Sequence, residues 1–200
     1  MLRAVVLLVI VSTAFALLPF KITDCNTSPN KVVHLDNPTL TNINPIHIPG
    51  NETVSIDVQV LQPISGMHYK VELTILKHVL FGFVIVPCYE DPSQNKCTYE
   101  LCDILSGKHY NNTHHCPIEV ASSSPDFECA CPFSPGTYHL NPTNFLIGDL
   151  PSALKFLAQG DYKARATITD TNTNEQVACY DLQLSTGADC TGISCLIGKK

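Results

Sequence analysis

Chemistry in this chain would have to come first from its ten cysteines. The stretch "CACPFSPGTY" places Cys129 and Cys131 one residue apart, followed by two prolines and a glycine. In an extended segment these two side chains point the same way. Their Cα atoms then stand about 6.5–7 Å apart, at the edge of bridging range, with Cβ vectors parallel rather than convergent. A Cys129–Cys131 bond is therefore disfavoured, and each sulfur seeks another partner, either a second cysteine or a shared zinc. The zinc alternative is weak, because the spacing is not C-x2-C. His109, His114 and His115 lie nearby in "GKHYNNTHHCP", but that segment is polar and reads as a solvated loop. No metal and no cofactor are expected. Spacing alone leaves the cysteine pairing open.

Other catalytic chemistry finds no footing. The sequence has no G-x-S-x-G elbow, P-loop, H-E-x-x-H or dinucleotide-binding glycine motif. A Cys–His nucleophile needs a free thiol, and an even cysteine count leaves none over. The acidic pair Glu90-Asp91 reads as solvated loop carboxylates. A formal net charge of −6 without a basic cluster disfavours nucleic acid.

The start of the chain sets the compartment. In "MLRAVVLLVIVSTAFALLPF", Arg3 precedes an apolar run that is short for a bilayer span, and Ala14-Phe15-Ala16 fits a cleavage site. Residues 1–16 are read as a cleaved secretory signal. Residues 17–200 are read as a single domain, with 185–200 as its tail. An oxidising route makes five disulfides the natural use of ten cysteines. The sequons at Asn26, Asn51 and Asn111 fit secretion as candidate glycosylation sites.

The elements that must position these groups read as strands. "TVSIDVQVL" alternates Val54, Ile56, Val58 and Val60 against Ser55, Asp57 and Gln59. "KVELTILK" does the same with Val71, Leu73 and Ile75, and "DYKARATITD" with Tyr162, Ala164, Ala166 and Ile168. In "VACYDLQLS", Tyr180, Leu182 and Leu184 share one face and Cys179 falls on the polar face, which suits a tether to a chain terminus. "FGFVIVPC" is apolar on both faces, so it is covered twice or lines an apolar cavity. "TYELCDILSG" and "PSALKFLAQG" read as short helices capped by Thr98 and Ser152. The class is all-β, an antiparallel cup or sandwich with two helical turns.

Beyond these patterns, the order and spacing of "INPIHIPGNETVSIDVQV", "YKVELTILK", "VIVPC", "CTYELCDIL", "CACPFSPGTYHL", "DLPSAL" and "GDYKA" resemble the ML (lipid-recognition) family, specifically its lysosomal activator members. The resemblance spans about Cys25 to Leu184. It implies an immunoglobulin-like β-cup around a pocket for acyl chains. It implies bridges Cys25–Cys179, Cys88–Cys97, Cys102–Cys131 and Cys116–Cys129, leaving Cys190 and Cys195 to pair in the tail. It implies a non-enzymatic protein of the secretory pathway, lysosomal or extracellular. Such a protein lifts a glycosphingolipid or phospholipid from a membrane and presents it to a β-hexosaminidase. The alternative is a secreted sterol or phospholipid carrier, or innate lipid sensor, with no hydrolase partner.

The expected lipid-facing residues are Val54, Ile56, Val58, Leu73, Ile75, Phe81, Phe83, Ile85, Phe145, Ile168 and Leu182. Leu154, Phe156 and Leu157 are expected on a rim loop that touches the membrane. Where the activator members carry tryptophan, this chain has Phe83 and Ala153, and it has no Trp at all. All eight histidines follow the signal. Acidification below the usual His pKa of about 6.5 therefore offsets the acidic charge and favours contact with anionic membranes.

Overall fold

The computed structural model describes residues 18–41, 45–65, 68–88, 91, 93–105, 118–125, 129, 131–150, 155 and 158–187. Among the described residues, ten strands and two short helices follow one another as β1 (Lys21–Asp24), β2 (Val33–Leu40), β3 (Ile46–His47), β4 (Gly50–Val60), β5 (Tyr69–Val79), β6 (Gly82–Val86), β7 (Cys97–Glu100), α1 (Leu101–Leu105), α2 (Ile118–Ser123), β8 (Gly136–Ile147), β9 (Gly160–Asp170) and β10 (Glu175–Gly187). The larger sheet runs β1-β10-β9-β5-β6, with β7 beside β5 and the short parallel β3 beside β10. The smaller sheet runs β2-β4-β8. This is the expected all-β arrangement. The helix predicted from Thr98 starts later, at Leu101, because Cys97–Glu100 pair with β5 as a strand. Helix α2 carried no sequence signal. The second predicted helix, from Ser152, lies mostly outside the described residues.

The smaller sheet bends at two matched places. The β2–β4 register shifts between Asp36 and Thr39, across Asn37-Pro38, where Asn37 takes φ 46°. The β4–β8 register shifts between Val54 and Ile56, across Asn141-Pro142 on β8. Proline cannot donate to a ladder, so within a sheet it settles at edges and bulges. A bulge bends its strand and sharpens the twist. The two Asn-Pro dipeptides face β4 from either side at nearly the same level. They curve the smaller sheet around the larger one.

An apolar core cluster fills one end of the space between the sheets. Val33, Val60, Ile64, Tyr69, Val71, Phe133, Val177 and Ala178 form a buried cluster there, joined by Leu101 of α1. Each side chain of this size contributes about 1.5–3 kcal/mol when fully buried. Tyr180 ties the sheets together. Its hydroxyl donates to the Val33 carbonyl and accepts from the Leu35 N–H, both at 3.1 Å. Burial pushes its phenol up to about 12.

Disulfides hold the ends and loops. Cys25 bonds Cys179, Cys88 bonds Cys97, and Cys102 bonds Cys131. Cys129 is also disulfide-bonded. Cys116, Cys190 and Cys195 lie outside the described residues, as do residues 1–16 expected to form a signal, Asn111 and most of the tail.

Candidate functional site

Residues paired across an antiparallel ladder share a face of the sheet. On the inner face of the larger sheet, one unbroken apolar row crosses five strands: Ile22, Leu182, Ala164, Ile75 and Val86. The next row toward the buried cluster includes Tyr180, Ala166 and Leu73, and the one after it Ile168 and Val71. On the smaller sheet, Val54, Ile56 and Val58 face inward with Tyr138, Leu140 and Phe145. In a solid sandwich these middle rows are the most buried. Here Val54, Ile56, Val58, Leu73, Ile75, Ile168, Leu182 and Phe145 all keep part of their surface exposed. Among the apolar residues of these inner rows, full burial stops at the level of Val60 and Val71, and beyond it on the smaller sheet only the polar Glu52 and Thr143 are buried. The inner rows beyond that level line an apolar space, closed at one end.

The open end lies where β5 reaches Val79, about 26 Å along the strand from Val71. The β5–β6 hairpin turns there through Gly82, whose φ of 130° suits only glycine. At its apex Leu80 is 88% exposed and Phe81 is 99% exposed. On the inner face near this end, the Lys77 ammonium lies 5.6 Å from the centroid of the Tyr162 ring. Burial lowers the Lys77 pKa, and burial pushes Tyr162 up to about 12. Across from this rim, β4 contributes Glu52, in line with Val54 and Ile56 and only 3% exposed. No sequence pattern singled it out, because a carboxylate ends the apolar alternation.

Three expected lipid-facing residues are corrected. The hairpin pairs Phe83 with His78 and Ile85 with Leu76, so both point to the outer face, away from Ile75. They are 38% and 45% exposed. The inward positions of β6 are Val84 and Val86, opposite Lys77 and Ile75. Phe81 stands at the apex, outside the pocket. The run "FGFVIVPC" is apolar on both faces because an edge strand puts one half inward and leaves the other as exposed surface. Leu154, Phe156 and Leu157 lie outside the described residues.

The outer face of the larger sheet carries a separate half-open groove of about 710 Å3, lined by Lys21, Glu72, Lys96, Lys163, Arg165 and Asp181 among others. Lys96 pairs with Glu72 at 3.1 Å, and Arg165 donates twice to Asp181 at 2.7 and 2.8 Å. Those partners lower the Asp181 pKa and raise that of Arg165. The Lys163 ammonium sits 4.4 Å from the centroid of the Phe83 ring. Such a charged surface does not suit an acyl chain, which gains nothing beside solvated ions. Among the described residues no three His, Cys, Asp or Glu side chains gather as metal ligands do.

Two sequons can be compared. The Asn26 amide Nδ2 donates to the Val177 carbonyl at 3.3 Å, and its oxygen accepts from the Ser28 N–H and the Gln176 side chain. Asn51 is exposed on the outer face of the smaller sheet.

Comparison with known proteins places this geometry. The ML-domain family matches residues 19–186. The ganglioside GM2 activator of Mus musculus is 33% identical over 144 residues, covering 70% of this chain and 69% of that protein. The ganglioside GM2 activator of Macaca fascicularis is 31% identical over 144 residues, covering 70% of each. Among solved structures, a Niemann-Pick type C2 protein from Japanese carpenter ant covers 84% of this chain at 12% identity, with a TM-score of 0.41.

Proposed function

The chain belongs to the ML-domain family, and from that premise we propose that it is a lipid-binding, non-catalytic protein that presents a membrane glycosphingolipid to a lysosomal glycosidase. The observation that carries this is the half-exposed inner face. Apolar rows on two sheets enclose a space that their own side chains leave unfilled. Each CH2 group moved from water into such a space gains about 0.8 kcal/mol. The sugar headgroup stays at the rim, within reach of an enzyme that acts in water. The protein makes and breaks no bond in the lipid.

The glycosphingolipid class is supported by the names of the mouse and macaque relatives, both ganglioside activators. A β-hexosaminidase is the partner that this class of headgroup suits. Membrane contact is supported by Leu80 and Phe81, two large apolar side chains standing free beside the pocket mouth. The apolar leader, the disulfides and the exposed Asn51 sequon support a secretory route that ends in the lysosome.

The deciding experiment is native mass spectrometry of the protein secreted by eukaryotic cells, followed by transfer of a labelled ganglioside from vesicles. A retained lipid, with hexosaminidase turnover that depends on the protein, is expected. A protein that carries no lipid and extracts none overturns the reading.

A further inference from the structure

We propose that Glu52 is a specificity-determining group of the pocket, accepting a hydrogen bond from an N–H or O–H donor where the lipid's headgroup joins its chains. The inference deepens the lipid-binding reading and rests on it. Glu52 occupies the inward row of β4, with Val54, Ile56, Val58 and Val60 following on the same face. It lies eight residues from Val60, so about 26 Å from the packed end and close to the mouth. Its cross-strand neighbour is Phe145.

Both carboxyl oxygens are buried and neither accepts a well-formed hydrogen bond, the His47 main chain being the donor that approaches them. The neighbouring polar side chain, Thr143, is already committed to Ser123 and to the Asn141 carbonyl. The groups that do face Glu52 are the His47 main chain and imidazole on β3. They lower its pKa, but burial outweighs them and the net shift is upward. The His47 main chain alone does not satisfy two buried carboxyl oxygens, and an under-satisfied group of this kind in a folded protein calls for a further partner. An apolar wall would use a Val or Leu here. Gly50, Val54 and Phe145 around it are all partly exposed. The carboxyl is thus flanked by residues that reach the surface while its own oxygens do not, so a ligand donor meets it through a change of the Glu52 rotamer.

The chemistry selects the ligand. A sphingoid lipid carries an amide N–H and a hydroxyl at the junction of headgroup and chains. A glycerol diester offers only acceptors there, which a carboxylate repels. A hydrogen bond to a charged acceptor discriminates by roughly ten- to hundred-fold.

The test compares two probes that share a headgroup: fluorescent sphingomyelin and fluorescent phosphatidylcholine with matched chains, at pH 7. The wild type should bind sphingomyelin at least tenfold more tightly. Glu52→Met, similar in length but without the acceptor, should bring the two affinities together by weakening sphingomyelin alone. Glu52→Gln, whose amide oxygen still accepts, should keep part of the preference. Should Glu52→Met fail to fold, Glu52→Leu serves for the same comparison. Equal affinities in the wild type, or a preference that survives in Glu52→Met, overturns the assignment. A wild type that binds neither probe overturns the assignment, and one that also fails to extract the labelled ganglioside removes the lipid-binding reading itself, which is a distinguishable result.

Discussion

Phe83 faces His78 across the β5–β6 hairpin, ring centroids 5.0 Å apart, on the opposite side of the sheet from Ile75. The two apolar residues are eight positions apart in sequence, and one side of a single sheet separates them. Ile75→Glu should therefore lower lipid binding by roughly tenfold or more, since it places a charge on the inner wall. Phe83→Ser should leave lipid binding within about twofold of the wild type, as a surface change should. Fluorescent-lipid titration of the two variants checks this, and a larger loss in Phe83→Ser would return that ring to the pocket.

The apex supplies a second expectation. Leu80 and Phe81 make no use of their apolar surface within the fold. Their replacement by serine should leave the melting temperature within a few degrees. Vesicle binding should fall by roughly ten- to hundred-fold, the equivalent of losing about 1.5–3 kcal/mol of apolar burial. Flotation with anionic vesicles measures it, and undiminished flotation would remove the apex from the membrane contact.

The Cys25–Cys179 bridge spans 154 residues of sequence and joins the residue that follows β1 to β10. Closing a loop of that length restricts the unfolded chain by an amount worth about 5 kcal/mol in the chain-entropy view. The double variant Cys25→Ala, Cys179→Ala should lose more stability in a urea titration than a variant lacking Cys88–Cys97, whose separation is 9 residues. The reverse order would contradict the entropic account.

Glycan placement follows from the sequon geometry. The Asn26 amide holds the chain against β10 through Val177, so a glycan there would break a native contact. Asn51 is exposed on the outer face. Endoglycosidase treatment of the secreted protein should shift its mass, and Asn51→Gln should reduce the shift. Asn26→Gln should leave it unchanged, and a smaller shift in that variant would show Asn26 to be modified.

Two carboxylates should pull stability in opposite directions on acidification. Burial raises the pKa of Asp24, yet the Lys31 and Asn26 hydrogen bonds, with His34 nearby, bring the net value down. That stabilisation is in force above the unfolded value of about 3.9 and is lost as pH falls through the lower folded value. Glu52 is shifted upward, chiefly by burial. Its folded-state penalty is in force above the raised folded value and disappears below the unfolded value of about 4.3. Relative to the wild type, Asp24→Asn should lose its deficit as pH falls, and Glu52→Gln should lose its advantage. Urea midpoints measured between pH 7 and pH 3 check both signs.

The sequence by itself determined which residues of β4, β5, β9 and β10 share a face. A strand's period of two is a local property, and polar and apolar residues alternate over residues 54–60 of β4, 71–75 of β5, 162–168 of β9 and 180–184 of β10. That alternation also set Cys179 apart from Tyr180 and Leu182 before any partner was known. Strands β2 and β8 were not legible, because Asn37-Pro38 and Asn141-Pro142 interrupt their alternation and look like loop signals. Only pairing with β4 shows them to be bulges. The two faces of β6 were equally apolar, so nothing local could assign them. The hairpin register decided that Val84 and Val86 turn inward while Phe83 and Ile85 turn out. Glu52 is the sharpest case. Its residue type predicts a solvated side chain, and only the closing of the smaller sheet and the β3 segment around it makes it buried. Tertiary structure decided these points because burial and register depend on chain segments far apart in sequence, which no local pattern encodes.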